Sequence, residues 1–276
     1  MPGNASAQHT LGPIGLQLYS VRDLMKADVP GTLAKVAAIG FKEVEFAGLF
    51  GQNPKDVRAM LDKNGLSAPA SHVDMNTIDT KLPETIETAS TLGHKFLIVP
   101  YVDEPTRKQP DVWKRLADLL NRAGAQTQKA GIEMAYHQHS FEFVPSSPLG
   151  GKLPYDYLLE NTDPKLVKME LDICWTVAAE QDPVAYFKKY PGRFPLMHVK
   201  DWLKNGKPGA PYAGALGPDT KFTGEMANVG QGSIDWKRVL GASDAGGVKH
   251  YIVEHDNPKS IDDLAGSYQY LRKLSF

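Results

Sequence analysis

The sequence predicts an α/β chain folded as one (β/α)8 TIM barrel, and three observations carry that prediction. Eight short runs rich in Val, Ile, Leu, Phe and Tyr alternate with longer segments of helical period, the signature of repeated βα units around a parallel sheet. Most runs are apolar throughout, as strands buried on both faces require. No GxGxxG follows any of them, which removes the main argument for an open Rossmann-like sheet, the next-best fold. A length of 276 residues suits a single barrel.

The elements follow in chain order. Ile14 to Tyr19 opens the barrel, and a helix from Pro30 to Ile39 stops before Gly40. Lys42 to Phe46 leads to a helix from Pro54 to Asn64, closed by Gly65. Ser67 to His72 is followed by Leu82 to Leu92 and Gly93. Lys95 to Tyr101 precedes the long helix Asp111 to Ala130. Gly131 to His137 precedes Tyr155 to Asn161, and Val167 to Asp172 precedes Pro183 to Tyr190. Pro195 to Lys200 and His250 to His255 complete the strands, with helices at Trp236 to Leu240 and Ile261 to Leu274. Proline near a helix start loses no hydrogen bond, and glycine just past a helix end accepts the left-handed conformation needed there.

Two stretches lie outside this alternation. MPGNASAQHTLGP is small and polar, lacks the basic and apolar regions of an export signal, and reads as a disordered leader over residues 1–12 before a barrel over 13–276. A cytoplasmic location is expected, with a periplasmic one the alternative, since an exported chain trimmed of its signal would read alike. From Trp202 to Ser233 the chain is rich in Gly and Pro without a convincing period. A connection of that length in a compact domain is usually functional or disordered, and it is expected to fold over the barrel mouth.

Composition narrows the function. Hydrophobic residues make up 42% and charged residues 23%, with Lys+Arg 31 against Asp+Glu 32. Nucleic-acid binding needs clustered positive charge, which is missing here. No apolar stretch is long enough for a membrane span. The lone cysteine, Cys174, excludes an intrachain disulfide framework. The expected partner is a small-molecule carbohydrate, with a homo-oligomer possible.

Four strand-end segments carry residues that can hold a metal: Glu142 in AYHQHSFEF, Asp172 in VKMELD, His198 in PLMHVKD and Glu254 in HYIVEHD. Strand ends of a parallel barrel converge on one mouth, so ligands far apart in sequence can meet at one ion. Three carboxylates and one imidazole suit one divalent metal ion, Mn, Zn, Co or Mg. Such an ion lowers the barrier to removing a proton beside a carbonyl. Glu142 and Glu254 are assigned as the acid and base that move it, through an enediolate. His137 and His139 shortly precede Glu142, and either could enter the coordination shell in its place.

Each residue has a plainer reading. Asp172 could cap the next helix, Glu254 could pair with Lys200, and His198 alone would be an ordinary core histidine. His72, in ASHVD, could bond substrate hydroxyls or cap its strand, and Lys200 could neutralise an oxyanion. Glu45 and Gln17 point to the same mouth, and Trp175, Trp202, Tyr19, Phe46 and Tyr101 offer aromatic faces to a sugar ring. The glycines of VGQGSIDW could cradle a phosphate, though turns use glycine routinely. Substrate-binding candidates are therefore His72, His137, His139, Lys200, Trp175, Glu45 and Gln17.

With GLQLYSVRD, YHQHSFEF, MELDICW, HVKD, VGQGSIDW and IVEHD in place, the chain resembles the xylose-isomerase-like barrels of sugar phosphate isomerases and epimerases, from about Ile14 to Leu274. The resemblance to ketose 3-epimerases implies a Glu, Asp, His, Glu set holding Mn or Co, which falls on Glu142, Asp172, His198 and Glu254. HVKD is shorter than the acidic, arginine-containing motif of those epimerases. The YHxHxxEF form also resembles subunits that cleave 3-keto glycosides by β-elimination, and inosose dehydratases are more distant relatives. The expected activity is metal-dependent sugar or sugar phosphate isomerisation or epimerisation, with a 3-keto-glycoside lyase or inosose-type dehydratase as the alternative. An abasic-site endonuclease and a non-enzymatic carbohydrate-binding barrel stand behind these.

Overall fold

The computed structural model describes residues 10–204 and 224–276. All eight expected strands are present: β1 (Ile14–Gln17), β2 (Glu43–Phe46), β3 (Ser67–His72), β4 (Phe96–Val99), β5 (Glu133–His137), β6 (Val167–Asp172), β7 (Leu196–Val199) and, after a hairpin of β8 (Asp201–Lys204) with β9 (Gly224–Ala227), β10 (His250–Val253). They close in the order β1-β10-β7-β6-β5-β4-β3-β2, each neighbour parallel. The chain is a single-domain TIM barrel.

Strand ends are shorter than expected where a side chain captures the backbone early. Gln17 accepts from the Tyr19 amide at 3.0 Å and turns Leu18–Val21 into a 3-10 helix. The helices Pro54–Asn64 and Leu82–Leu92 end as expected, with Gly65 at φ 62° and Gly93 at φ 82°, a conformation that costs a side-chain-bearing residue about 1 kcal/mol or more. Short helices at Arg22–Ala27, Met75–Thr80 and Ile173–Ala178 were not expected. Each spans too few turns to carry a readable period.

Two apolar cores set the depth of the mouth. The larger lies between barrel and helices and includes Leu97 and Val99 of β4. Their neighbours Phe96 and Ile98 join Ala70, Ala135 and Leu196 in a separate cluster made wholly of strand residues, because successive side chains leave a strand on opposite faces. That cluster fills the barrel interior, and polar residues occupy the layer above it.

The segment from Trp202 to Ser233, expected to be irregular, contains strand structure. Its two ends pair antiparallel from Asp201↔Ala227 to Lys204↔Gly224; residues 205–223, and 1–9 of the expected leader, lie outside the described residues. The Asp201 carboxylate is buried and accepts from the amides of Trp202, Gly230, Gly232 and Ile234 and from the Trp236 indole at 2.8–3.4 Å. This corrects the phosphate-cradle reading of VGQGSIDW: its amides are turned onto a carboxylate of the chain itself. Gly232 is required there, since a Cβ would collide with that carboxylate. No helix among the described residues is long and apolar enough to cross a membrane.

Candidate metal centre

Five strands and one strand-following segment each deliver a polar side chain to the barrel interior. Glu45 comes from β2, His72 from β3, His137 from β5, Glu170 and Asp172 from β6, His198 from β7, and Glu254 from the residue after β10. The register explains the meeting, with His137 opposite Glu170, Asp172 opposite His198, and His198 opposite Ile252.

The deeper layer is a ring of imidazoles on two carboxylates. Glu170 Oε2 lies 2.9 Å from His72 Nε2, 3.1 Å from His137 Nδ1 and 3.2 Å from His198 Nε2. Glu45 Oε1 lies 2.9 Å from both His72 Nε2 and His198 Nε2 and accepts from Gln17 Nε2 at 2.6 Å. Burial opposes charge here, but the ion pairs win. His72 is pushed up to about 9 by Glu45 and Glu170, and Glu170 is held down to about 2 by His198 and His72. His137 goes the other way. Its own burial and the charges of His198 and His72 keep its pKa well below the usual histidine value.

The upper layer opens to solvent. Asp172 divides its two oxygens between the two roles the sequence offered it. Oδ1 accepts from the Trp175 amide at 2.9 Å and caps Ile173–Ala178, whereas Oδ2 is buried, has no hydrogen-bond partner and lies 3.4 Å from Lys200 Nζ. Glu254 Oε2 lies 3.0 Å from His198 Nδ1 and 2.5 Å from Lys200 Nζ. Asp256 Oδ1 takes Lys200 from the other side at 2.8 Å. The pairing of Glu254 with Lys200 is thus present, alongside its approach to His198.

Two overlapping groups bring ligand atoms within 4.8 Å of one another: His72, His137, Glu170 and His198, and His137, Asp172, His198 and Glu254. The chemistry favours the second as the ion's shell. In the first, one Glu170 oxygen already serves three imidazoles, so the carboxylates of that layer act on the histidines. A metal-bound histidine commonly donates its other ring N–H to a carboxylate. That arrangement is present twice, leaving His137 Nε2 and His198 Nδ1 to an ion. Asp172 Oδ2 supports the fit, because this buried oxygen has no hydrogen-bond partner and is met only by charge, from Lys200 Nζ at 3.4 Å and His198 Nδ1 at 3.9 Å. Charge agrees. Glu45, Glu170, Asp172, Glu254 and Asp256 face His72, His198 and Lys200, so carboxylates outnumber the groups that can carry positive charge, and burial pushes Asp172 up to about 7.

Asp172, His198 and Glu254 therefore meet as expected, and Glu142 does not join them. It sits in the 3-10 turn Phe141–Phe143 beyond β5, where Oε1 accepts from the Tyr136 hydroxyl at 2.6 Å and Oε2 from the His139 amide at 2.8 Å. His137 stands at the corner expected of Glu142, so the group that could hold a metal comprises two imidazoles and two carboxylates. Burial pushes Glu142 up to about 7. Between pH 4.5 and about 7 the unfolded chain releases a proton that the fold keeps, so this group lowers stability as pH rises and costs most above 7. Glu142→Gln is expected to stabilise the protein by about 1–3 kcal/mol at pH 8 and to change little at pH 4.5. Urea unfolding at the two pH values checks it, and a loss of stability at both would contradict this placement.

The mouth is a cavity of about 860 Å³ lined by His72, His137, His139, Lys200, Glu254 and Asp256, among others. His139 packs against Tyr101, Phe141 and Trp175, and its Nδ1 has no hydrogen-bond partner. Burial keeps its pKa well below the usual value. Tyr101 and Tyr19 also line the cavity, but Phe46, Trp202 and Trp175 do not. Trp175 is fully buried behind the site, with Lys200 Nζ 5.1 Å from its ring centre. Gln17 and Glu45 are fully buried beneath it, where Glu45 meets His72 and His198 and Gln17 holds Glu45. Sequence reasoning missed Glu170, Asp256 and Asp201. The first two stand two residues from a recognised candidate, Asp172 and Glu254, and for Glu170 that spacing on a strand means the same face.

Known proteins bear on this geometry. The model of the family described as "Xylose isomerase-like TIM barrel" matches residues 33–274. The inosose dehydratase of Geobacillus kaustophilus (strain HTA426) is 26% identical over 205 residues, which cover 63% of this chain and 65% of that enzyme, just under two thirds of its length. The inosose dehydratase of Lacticaseibacillus casei is 24% identical over 266 residues, 88% of this chain and 87% of that one. The crystal structure of a sugar phosphate isomerase/epimerase from Parabacteroides distasonis ATCC 8503 superposes with a TM-score of 0.72 at 27% identity, covering 98% of this chain and 96% of that one.

Proposed function

The chain belongs to the xylose isomerase-like TIM barrel family, and on that premise we propose that it is a metal-dependent lyase acting on a polyhydroxylated ring that carries a ketone. It removes the proton on the carbon beside the ketone and expels an oxygen substituent from the next carbon. One observation carries the choice of elimination: His139, a neutral histidine outside the proposed ligand set, lines the same cavity as His137, Lys200 and Glu254, while Glu142 is engaged by Tyr136 and the His139 amide. Epimerisation, the first expectation from sequence, needs a second proton-transfer group across the ring. The likeness to the Parabacteroides isomerase/epimerase speaks for that second reading, and the likeness to two inosose dehydratases speaks for loss of an oxygen substituent.

A divalent ion held by His137, Asp172, His198 and Glu254 would polarise the ketone and offset the charge that develops there. His139 takes the proton. Lys200, held by Asp256 and Glu254, is the group available to protonate the departing oxygen. A bound ion would hold Asp172 and Glu254 in their ionised forms. An abasic-site nuclease gains nothing from a chain with Lys+Arg 31 against Asp+Glu 32.

The test follows hydrogen exchange and product together. Protein supplied with Mn²⁺ is incubated in D₂O with an inosose and followed by NMR. Deuterium uptake beside the ketone with loss of water is expected, and His139→Gln is expected to slow both by at least about 100-fold. Full activity in His139→Gln, or a stereoisomer of the substrate as the sole product, would refute this reading.

A further inference from the structure

β5 and β6 pair in register from Met134↔Val167 to His137↔Glu170, and the strand pairing ends there. A side chain carries it further. Gln138, the residue after β5, is fully buried, and its amide reaches across to the last residue of β6. Gln138 Oε1 accepts from the Asp172 amide at 3.2 Å, while Gln138 Nε2 donates to the Asp172 carbonyl at 2.8 Å and to Thr176 Oγ1 at 2.9 Å. The Thr176 hydroxyl in turn donates to the same carbonyl at 2.7 Å. A backbone N–H needs an acceptor and a C=O needs a donor, so this orientation of the side-chain amide is the one that satisfies both.

Asp172 is thereby held at every polar atom but one. Its N–H and C=O are engaged by Gln138, its Oδ1 accepts from the Trp175 amide at 2.9 Å, and Oδ2 has no hydrogen-bond partner. Fixing the backbone and one carboxylate oxygen leaves Oδ2 little choice of position. The clamp also starts from a telling place. Gln138 lies between His137, a proposed ligand, and His139, the proposed base. Both histidines line the cavity, and the glutamine between them is turned into the wall. The His139 amide is fixed from the other side by Glu142 Oε2 at 2.8 Å. One side-chain amide therefore sets how far the β5 end, with its two histidines, stands from the carboxylate of β6.

We propose that Gln138 is a positioning residue of the metal centre, holding Asp172 at the distance from His137 at which both can meet one ion. The proposal rests on the reading of His137, Asp172, His198 and Glu254 as ligands and is independent of the choice between elimination and epimerisation. Metal–ligand distances tolerate only about 0.2 Å, and the two ligands stand where the backbone pairing of their strands has just ended. The clamp removes that play before an ion arrives. Binding then does not have to order the end of β6, which is the general advantage of a site arranged in advance.

Metal binding tests the clamp without turnover. Gln138→Met keeps the shape and loses all three hydrogen bonds, and Gln138→Glu keeps the acceptor for the Asp172 amide but loses the donors. Thr176→Val is the control, since it loosens the same turn and leaves the Gln138 amide on Asp172. Mn²⁺ affinity is read from the electron paramagnetic resonance of free Mn²⁺, and ligand geometry from the visible spectrum of protein saturated with Co²⁺. Both Gln138 variants are expected to bind Mn²⁺ about 10–100-fold more weakly than the parent and to change the Co²⁺ spectrum, whereas Thr176→Val keeps both. A purely structural role would lower the melting temperature and move neither. Parent-like affinity and spectrum in a folded Gln138→Met or Gln138→Glu, an equal loss in Thr176→Val, or failure of both Gln138 variants to fold would overturn the proposal. A parent that binds no ion removes the metal centre and the clamp together, and an ion held equally by the parent and Gln138→Met removes the clamp alone.

Discussion

Replacing Lys200 with methionine is expected to destabilise the metal-free protein by about 3–5 kcal/mol and to make divalent ions restore most of that loss. The ammonium is 2% exposed and lies within 3.4 Å of Asp172, Glu254 and Asp256. Removing it leaves the buried carboxylates of Asp172 and Glu254 and the partly exposed one of Asp256 without their ammonium, and breaking a buried ion pair costs more than the pair contributes. Two of those carboxylates are proposed metal ligands, so an ion should replace the lost charge and bind more tightly than in the parent, where Lys200 competes for the same oxygens. Thermal melting with and without Mn²⁺ or Zn²⁺ reads both effects. An unchanged metal-free melting temperature, or a variant that no ion rescues, would show that Lys200 and the ion do not share these carboxylates.

Glu170→Gln should weaken metal binding by about 10–100-fold although Glu170 is not assigned as a ligand. One of its oxygens serves His72, His137 and His198. A glutamine keeps the shape and loses the charge, so neither ligand histidine is oriented or made as basic as before. The same change should flatten a pH response. His72 is raised from 6.5 to about 9, so its contribution to stability is complete below pH 6.5 and is lost as pH rises through 9. With Glu170 neutral that slope should shrink. Metal affinity equal to the parent's would mean that the deeper layer does not tune the ligands.

The barrel was legible because short runs rich in strand-forming residues alternate regularly with helical segments, and Ser67–His72 and Val167–Asp172 match their expected bounds. Helices framed by proline and glycine, such as Pro54–Asn64, were equally plain. The candidate site was legible at Asp172, His198 and Glu254, where the donor stands at or next to a strand end. It was misread at Glu142 for a physical reason: β5 ends at His137, and the chain then turns at Ser140 into Phe141–Phe143, carrying the glutamate onto Tyr136. Ala135 in the interior cluster, two residues before His137, held the signal that His137 points inward. The anchoring of Gly230 and Gly232 by Asp201 was not legible, since it depends on a contact across about thirty residues that no local pattern encodes.

The central claim is that one divalent ion is held by His137, Asp172, His198 and Glu254, with Glu142 outside its shell. Metal content per chain, measured by mass spectrometry after dialysis against Mn²⁺ or Zn²⁺ and removal of free ion, tests it directly on the parent, His137→Ala and Glu142→Gln. The account predicts one ion in the parent and in Glu142→Gln, and its loss in His137→Ala. An ion retained in a folded His137→Ala and lost in a folded Glu142→Gln would contradict it.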